Sequence, residues 1–211
     1  MKTYLFDFDG TLVDSMPSFI AVMLRILDEN GIAYGDDIIK IITPLGYLGT
    51  AKYFEKLGVP MSPTELVELM KEYAEEDYEH NIPEKSGTTE ALMALKRGGA
   101  SLNILTASPH KVLDVCLKRL RIWDLFENVW SCDDFGTSKS NPEIYKAAAE
   151  KLGKPIEKII FIDDNVNAVK TAKLAGMTAY GIYDASSADY EGEMRAVSDR
   201  YIKNLSELIE D

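Results

Sequence analysis

Beyond Pro83 the chain alternates short apolar runs with segments of helical period, and this alternation leaves few folds open. A helix is predicted over 87–97, where Gly98-Gly99 stops it, and an apolar strand over 100–105. Pro109 suits the first turn of a helix whose Val112, Leu113, Cys116, Leu117 and Leu120 share one face. A short strand at 129–131, a helix opened by Pro142 and closed by Gly153, a strand at 158–162, a helix at 166–175 with Gly176 behind it, and a strand at 178–183 complete the pattern. Strands separated by helix-length crossovers pair in parallel and are covered on both faces. The expected class is α/β, a three-layer Rossmann-like parallel sheet, with the apolar run at 3–9 supplying a further strand.

Between that first strand and Pro83 the period is helical throughout. Phe19, Ile20, Met23, Leu24 and Leu27 recur at helical spacing until Asn30-Gly31. Ser62-Pro63-Thr64-Glu65 is a helix start in which Ser62 caps and Glu65 reaches back, followed by a stripe of Leu66, Leu69, Met70 and Tyr73. The expected organisation is a discontinuous core of residues 1–14 and 86–211 interrupted by an all-helical cap domain, 15–85, over the carboxyl edge of the sheet. Within the cap, Gly46-Tyr47-Leu48-Gly49-Thr50 is read as a substrate-facing loop, with Tyr47 and the adjacent Lys52 as candidate substrate contacts.

Charge narrows the partners. The 211 residues carry 23 Lys+Arg against 35 Asp+Glu, a net charge of −12, and residues 15–85 hold 13 acidic against 6 basic side chains. Broad capture of a nucleic-acid backbone needs the opposite sign, so no nucleic-acid partner is expected. The acidic run Glu72, Glu75, Glu76, Asp77 and Glu79 reads as a solvated helix face. No signal peptide or membrane span is visible, so a cytoplasmic protein without membrane contact is expected, as a monomer or weak homodimer. Cys116 and Cys132 have no metal-type spacing and read as buried, reduced thiols.

In open parallel sheets, ligands bind outside the carboxyl ends of the strands. Four strand endings carry polar chemistry: Asp7-Phe8-Asp9-Gly10-Thr11, Thr106-Ala107-Ser108, Lys139 in the loop after the third core strand, and Asp163-Asp164. An EF-hand beginning at Asp7 would need Gly at 12 and Glu at 18, where Leu12 and Ser18 stand. Neither of the Gly-rich nucleotide-binding fingerprints occurs. Converging carboxylates at about 4 Å would repel by about 4 kcal/mol per pair at an effective dielectric near 20, so a cation must accompany them. An all-oxygen donor set suits Mg2+.

Taken in order, these four endings resemble the four motifs of the haloacid dehalogenase superfamily, over essentially the whole chain. The likeness is greatest to the subgroup with a helical cap after the first motif, which includes phosphoglycolate phosphatase-like enzymes and β-phosphoglucomutase. The resemblance implies a Mg2+-dependent phosphatase acting on a small phosphorylated metabolite. Asp7 would be the nucleophile that becomes an aspartyl-phosphate, and Asp9 the general acid and base. Thr106, the Ala107 N–H and the Gly10 turn would bind the phosphate, and Lys139 would pair with Asp7 and the transferring group. Asp7, the Asp9 carbonyl and Asp164 would hold the metal, with Asp163 binding directly or through water.

Thr11 follows the phosphatases of this family. The mutases carry Val there and a His on the first cap helix, where this chain reads Met16-Pro17-Ser18-Phe19. Hydrolysis is therefore expected ahead of a β-phosphoglucomutase-like phosphotransferase or a catalytically idle binding or regulatory module. Asp9 with Asp163 and Asp164 argues against a metal-free dehalogenase. One departure from the family pattern is Ser140, which stands where many relatives have Pro after the motif lysine.

Overall fold

The computed structural model describes residues 2–42 and 45–209. The chain divides into two compact units, Met1–Asp14 with Pro83–Asp211, and Ser15–Ile82.

The discontinuous unit is built on one six-stranded parallel sheet in the order β3-β2-β1-β4-β5-β6. Its strands are β1 (Thr3–Phe6), β2 (Ser101–Thr106), β3 (Asn128–Ser131), β4 (Ile159–Asp163), β5 (Thr178–Ile182) and β6 (Arg200–Ile202). The order reverses between β1 and β4, so the two strands at the switch point are those that end in Asp7 and in Asp163-Asp164. Their register pairs Phe6 with Ile162, and the Asp7 N–H donates to the Ile162 carbonyl at 2.9 Å. This pairing brings Asp7 and Asp163 side by side before any side-chain contact is considered.

Alternation along the central strands decides what each face meets. Leu5, Leu105, Phe161 and Ala179 are buried on one face with α7 (Pro142–Leu152), α8 (Val166–Ala175) and α9 (Glu191–Val197). Tyr4, Phe6, Leu102 and Ile104 point the other way and are equally buried. The remaining helices of this unit are α5 (Thr88–Arg97), which packs against β2, and α6 (His110–Arg119). The Gly153 and Gly176 stops end α7 and α8 in left-handed conformations, the geometry that a side chain resists.

The second unit contains α1 (Met16–Glu29), α2 (Ile38–Ile42), α3 (Gly46–Leu57) and α4 (Pro63–His80), around a core of Met23, Ile26, Leu27, Ile42, Phe54, Leu66 and Met70. The capping box at Ser62 forms as its sequence indicates: Ser62 Oγ accepts from the Glu65 N–H at 3.3 Å, and Glu65 Oε2 accepts from the Ser62 N–H at 2.8 Å. Glu72, Glu75, Glu76, Asp77 and Glu79 all lie on α4.

Two sequence readings are corrected. Residues 46–50 form the start of α3, not a loop: Gly46 opens the helix at a left-handed φ of +61°, and Thr50 and Ala51 are buried, Ala51 in the helical core. Residues 83–85 group with the sheet, because Val13 bridges Glu84, the Asp14 N–H donates to the Pro83 carbonyl and the Lys85 N–H to the Leu12 carbonyl, each at 3.0 Å. Beyond 183, where no element was read from the sequence, the unit continues through α9 to the edge strand β6, which pairs with β5.

Candidate active site

The site is assembled at the carboxyl ends of β1, β2 and β4. Asp7, at the end of β1, is 4% exposed, Asp163 is fully buried and Asp164 is 9% exposed. One oxygen from each of these three can be found such that all lie within 4.8 Å of one another, a spacing suited to a shared cation. Lys139 reaches in from the loop between β3 and α7. Its Nζ donates to Asp7 Oδ1 at 2.5 Å and to Asp163 Oδ2 at 2.8 Å. The second oxygen of Asp163, Oδ1, accepts the Asn165 N–H at 2.7 Å.

One lysine against three buried carboxylates leaves a deficit of positive charge. Burial pushes Asp7 up to about 7 in spite of Lys139, and Asp163 and Asp9 add to the effect. Asp164 is driven well above the usual carboxylate range by burial, then by Asp163, Asp7 and Asp184. Burial alone would depress Lys139, but Asp163 and Asp7 outweigh it and raise its pKa well above that of a free lysine. Such carboxylates become comfortable as anions only when a further cation joins them. The donor set, all oxygen and doubly or triply charged, fits Mg2+.

The turn after Asp7 is shaped by close approach. Gly10 has φ +74°, and a Cβ on it would lie 2.8 Å from Cγ and both oxygens of Asp164. Thr11, buried beside it, donates its hydroxyl to Asp164 Oδ1 at 3.3 Å. Asp9 is half-buried, and its Oδ2 accepts the Ser108 hydroxyl at 2.5 Å. Thr106 ends β2, and its Oγ1 accepts the Ser108 N–H at 3.1 Å, curling the strand end around the exposed Ala107.

The loop carrying Lys139 is held without the Pro that Ser140 replaces. Buried Tyr145 donates to the Lys139 carbonyl at 3.0 Å and shares its hydroxyl with the Ala168 carbonyl at 3.1 Å, while Asn141 caps α7 by accepting the Glu143 N–H. Asn165 is a helix cap, accepting the N–H groups of Asn167 and Ala168 at the start of α8. His110, read from sequence as a helix-start or surface residue, lies with Nδ1 2.8 Å from Asp114 and Nε2 2.9 Å from Asp134.

The structure thus brings together Asp7, Asp9, Gly10, Thr106, Lys139, Asp163 and Asp164 in one unit. The two residues of the helical unit, Tyr47 and Lys52, stand apart in kind: Tyr47 stacks on Phe19 with ring centroids 5.5 Å apart, and Lys52 is exposed on α3. Sequence reasoning gave no role to Ser108, Lys85 or Asp184. Ser108 and Asp184 both follow strand ends, β2 and β5, so the rule that found the other residues could have found them.

A parallel-sheet α/β enzyme with an acidic site at its switch point is the class these features define. The chain belongs to the haloacid dehalogenase-like hydrolase family, whose sequence model matches residues 4–182. It is similar to pyrophosphatase PpaX of Bacillus velezensis, at 28% identity over 179 residues, 84% of this chain and 81% of that one. It is also similar to the phosphorylated carbohydrates phosphatase of Thermotoga maritima, at 26% identity over 190 residues, 86% and 85% of the two chains. Among solved structures, Bacillus subtilis YfnB, crystallised bound to magnesium, shares the fold with a TM-score of 0.83 at 17% identity, over 99% of this chain and 97% of that one. Among the described residues, no helix is long and apolar enough to cross a membrane.

Proposed function

We propose that the protein is a Mg2+-dependent phosphatase that hydrolyses a small phosphomonoester through an aspartyl-phosphate on Asp7. The observation that carries this reading is the Asp7 carboxylate held by Lys139 at the switch point of the sheet, beside Asp163 and Asp164. The names of the two phosphatase relatives support the reaction class.

In the first step an Asp7 oxygen attacks phosphorus, the ester P–O bond breaks, and Asp9 gives its proton to the departing alkoxide. In the second, Asp9 takes a proton from water, the water oxygen bonds to phosphorus, and the P–O bond to Asp7 breaks to release inorganic phosphate. Ser108 holds Asp9 by donating its hydroxyl to Oδ2. Lys139 orients Asp7 and balances charge on the transferring group, assisted by Thr106 and the Ala107 N–H.

Asp7, Asp164 and the Asp9 carbonyl would hold Mg2+, which screens the nucleophile from the phosphate's charge when bound. Asp163, whose oxygens are already engaged by Lys139 and the Asn165 N–H, fits a water-mediated contact. Tyr47 and Lys52 remain proposed substrate contacts of the helical unit.

A panel of phosphomonoesters and p-nitrophenyl phosphate, assayed with Mg2+ and with chelator, tests the reading. Turnover confined to the Mg2+ arm and abolished by Asp7→Asn is expected. Turnover that survives Asp7→Asn or chelation would overturn it.

A further inference from the structure

Lys85 is a half-buried cation near the site that the reaction above does not use. Its side chain is 18% exposed and its Nζ donates to three acceptors: the Gly10 carbonyl at 2.6 Å, the Tyr183 carbonyl at 2.6 Å and Asp184 Oδ2 at 2.9 Å. These acceptors belong to the turn after β1 and to the segment that follows β5. Asp184 is 4% exposed, and its other oxygen accepts both the N–H and the hydroxyl of Ser186. Its position is therefore fixed independently of Lys85, and an ammonium placed between a fixed carboxylate and two carbonyls is itself fixed.

The Gly10 peptide is where this matters. It lies between Asp9 and Thr11, which donates to Asp164, and a Cβ on it would meet the Asp164 carboxyl group at 2.8 Å. A displacement of the Gly10 carbonyl is passed along the chain to Thr11, whose hydroxyl holds Asp164, and to the adjoining Asp9. Lys85 also offsets Asp184, a further carboxylate close enough to act on Asp164. The backbone N–H of Lys85 donates to the Leu12 carbonyl, so the same residue ties two points of one turn.

We propose that Lys85 is a positioning residue for the hydrolysis: it clamps the Gly10 carbonyl to the end of β5 and so sets the placement of Asp9 and of the carboxylates that bind Mg2+. The proposal rests on the phosphatase reading for its kinetic consequence, but the clamp itself has a readout free of activity.

The test compares Asp184→Asn, which leaves both carbonyl bonds of Lys85 in place, with the double variant Lys85→Met/Asp184→Asn, which removes the clamp without leaving a lone buried charge. The double variant should lose at least tenfold more kcat than Asp184→Asn, with KM changed less than threefold. Its Mg2+ dissociation constant, measured by titration calorimetry without substrate, should rise at least fivefold. Hydrogen exchange of the Gly10 amide, which donates to the Val13 carbonyl, should accelerate at least tenfold relative to amides of β2. A double variant that matches Asp184→Asn in kcat, Mg2+ affinity and Gly10 exchange would overturn the clamp. In the unmodified protein, Gly10 should exchange as slowly as the β1 amides, and exchange at loop rates would overturn it even if the double variant failed to fold. Absence of any phosphoester turnover by the unmodified protein would count against the phosphatase reading, and the exchange measurements would still decide the clamp.

Discussion

Lys139 Nζ and Asp7 Oδ1 stand 2.5 Å apart, in an ion pair whose side chains are 14% and 6% exposed. Buried pairs of this kind are costly to break from one side, because the remaining charge has no water to turn to. Lys139→Met should therefore lower kcat by about 10²–10³-fold, the usual loss on removing one preorganised donor from a transition state. Lys139→Arg should not restore it, since a planar guanidinium cannot occupy the point between Asp7 and Asp163 that an ammonium fills. Steady-state kinetics on both variants checks this, with circular dichroism to confirm folding.

Gly10→Ala should be damaging on two counts. A φ of +74° costs an alanine about 1–2 kcal/mol, and its methyl group would press on the Asp164 carboxyl at 2.8 Å. Denaturant unfolding should show at least the first loss. Mg2+ titration should show weaker binding, since Asp164 must yield.

The metal-free protein should lose stability as pH rises. Asp7 and Asp164 have folded pKa values raised above their unfolded ones, so the native state holds more protons; the stability this confers is present below the unfolded carboxylate range and is lost as pH rises through the raised values, that of Asp7 being about 7. Mg2+ replaces those protons, so its stabilising effect should grow over the same range. At 100 times its dissociation constant it should add about 2.7 kcal/mol. Thermal unfolding from pH 5 to pH 8, with Mg2+ and with chelator, checks both trends.

How much of this was legible in sequence depends on range. The parallel sheet and the motif residues could be read because each strand ends in a distinctive side chain and each crossover has helical period. Residues 46–50 misled because two glycines look like a loop, while burial of Thr50 and Ala51 wins. The edge strand β6 is three residues long, below the length at which alternation is visible. Lys85 and Asp184 are 99 residues apart, and no local pattern announces a carbonyl as an ammonium's partner. Tyr145, holding the Lys139 loop in place of the missing Pro, was hidden for the same reason.

His110 should make stability pH-dependent in a separate window. Its two ring nitrogens face Asp114 and Asp134, and only the imidazolium can donate to both, so its folded pKa is raised by these two bonds. The stability it contributes is present below about pH 6.5, the unpaired value, and is lost as pH rises through the raised one. His110→Gln should therefore lower Tm at pH 6 and leave it nearly unchanged at pH 9. An equal loss at both values would show that packing, and not charge, is what His110 supplies.

In the proposed reaction Asp7 itself carries the phosphoryl group. Peptide mass spectrometry of protein acid-quenched during turnover with Mg2+ tests this most directly. A phosphoryl adduct on Asp7, absent with chelator and absent from Asp7→Asn, is the predicted result. Steady turnover by the unmodified protein with no adduct on Asp7, together with an Asp7→Asn variant that is equally active, would contradict it.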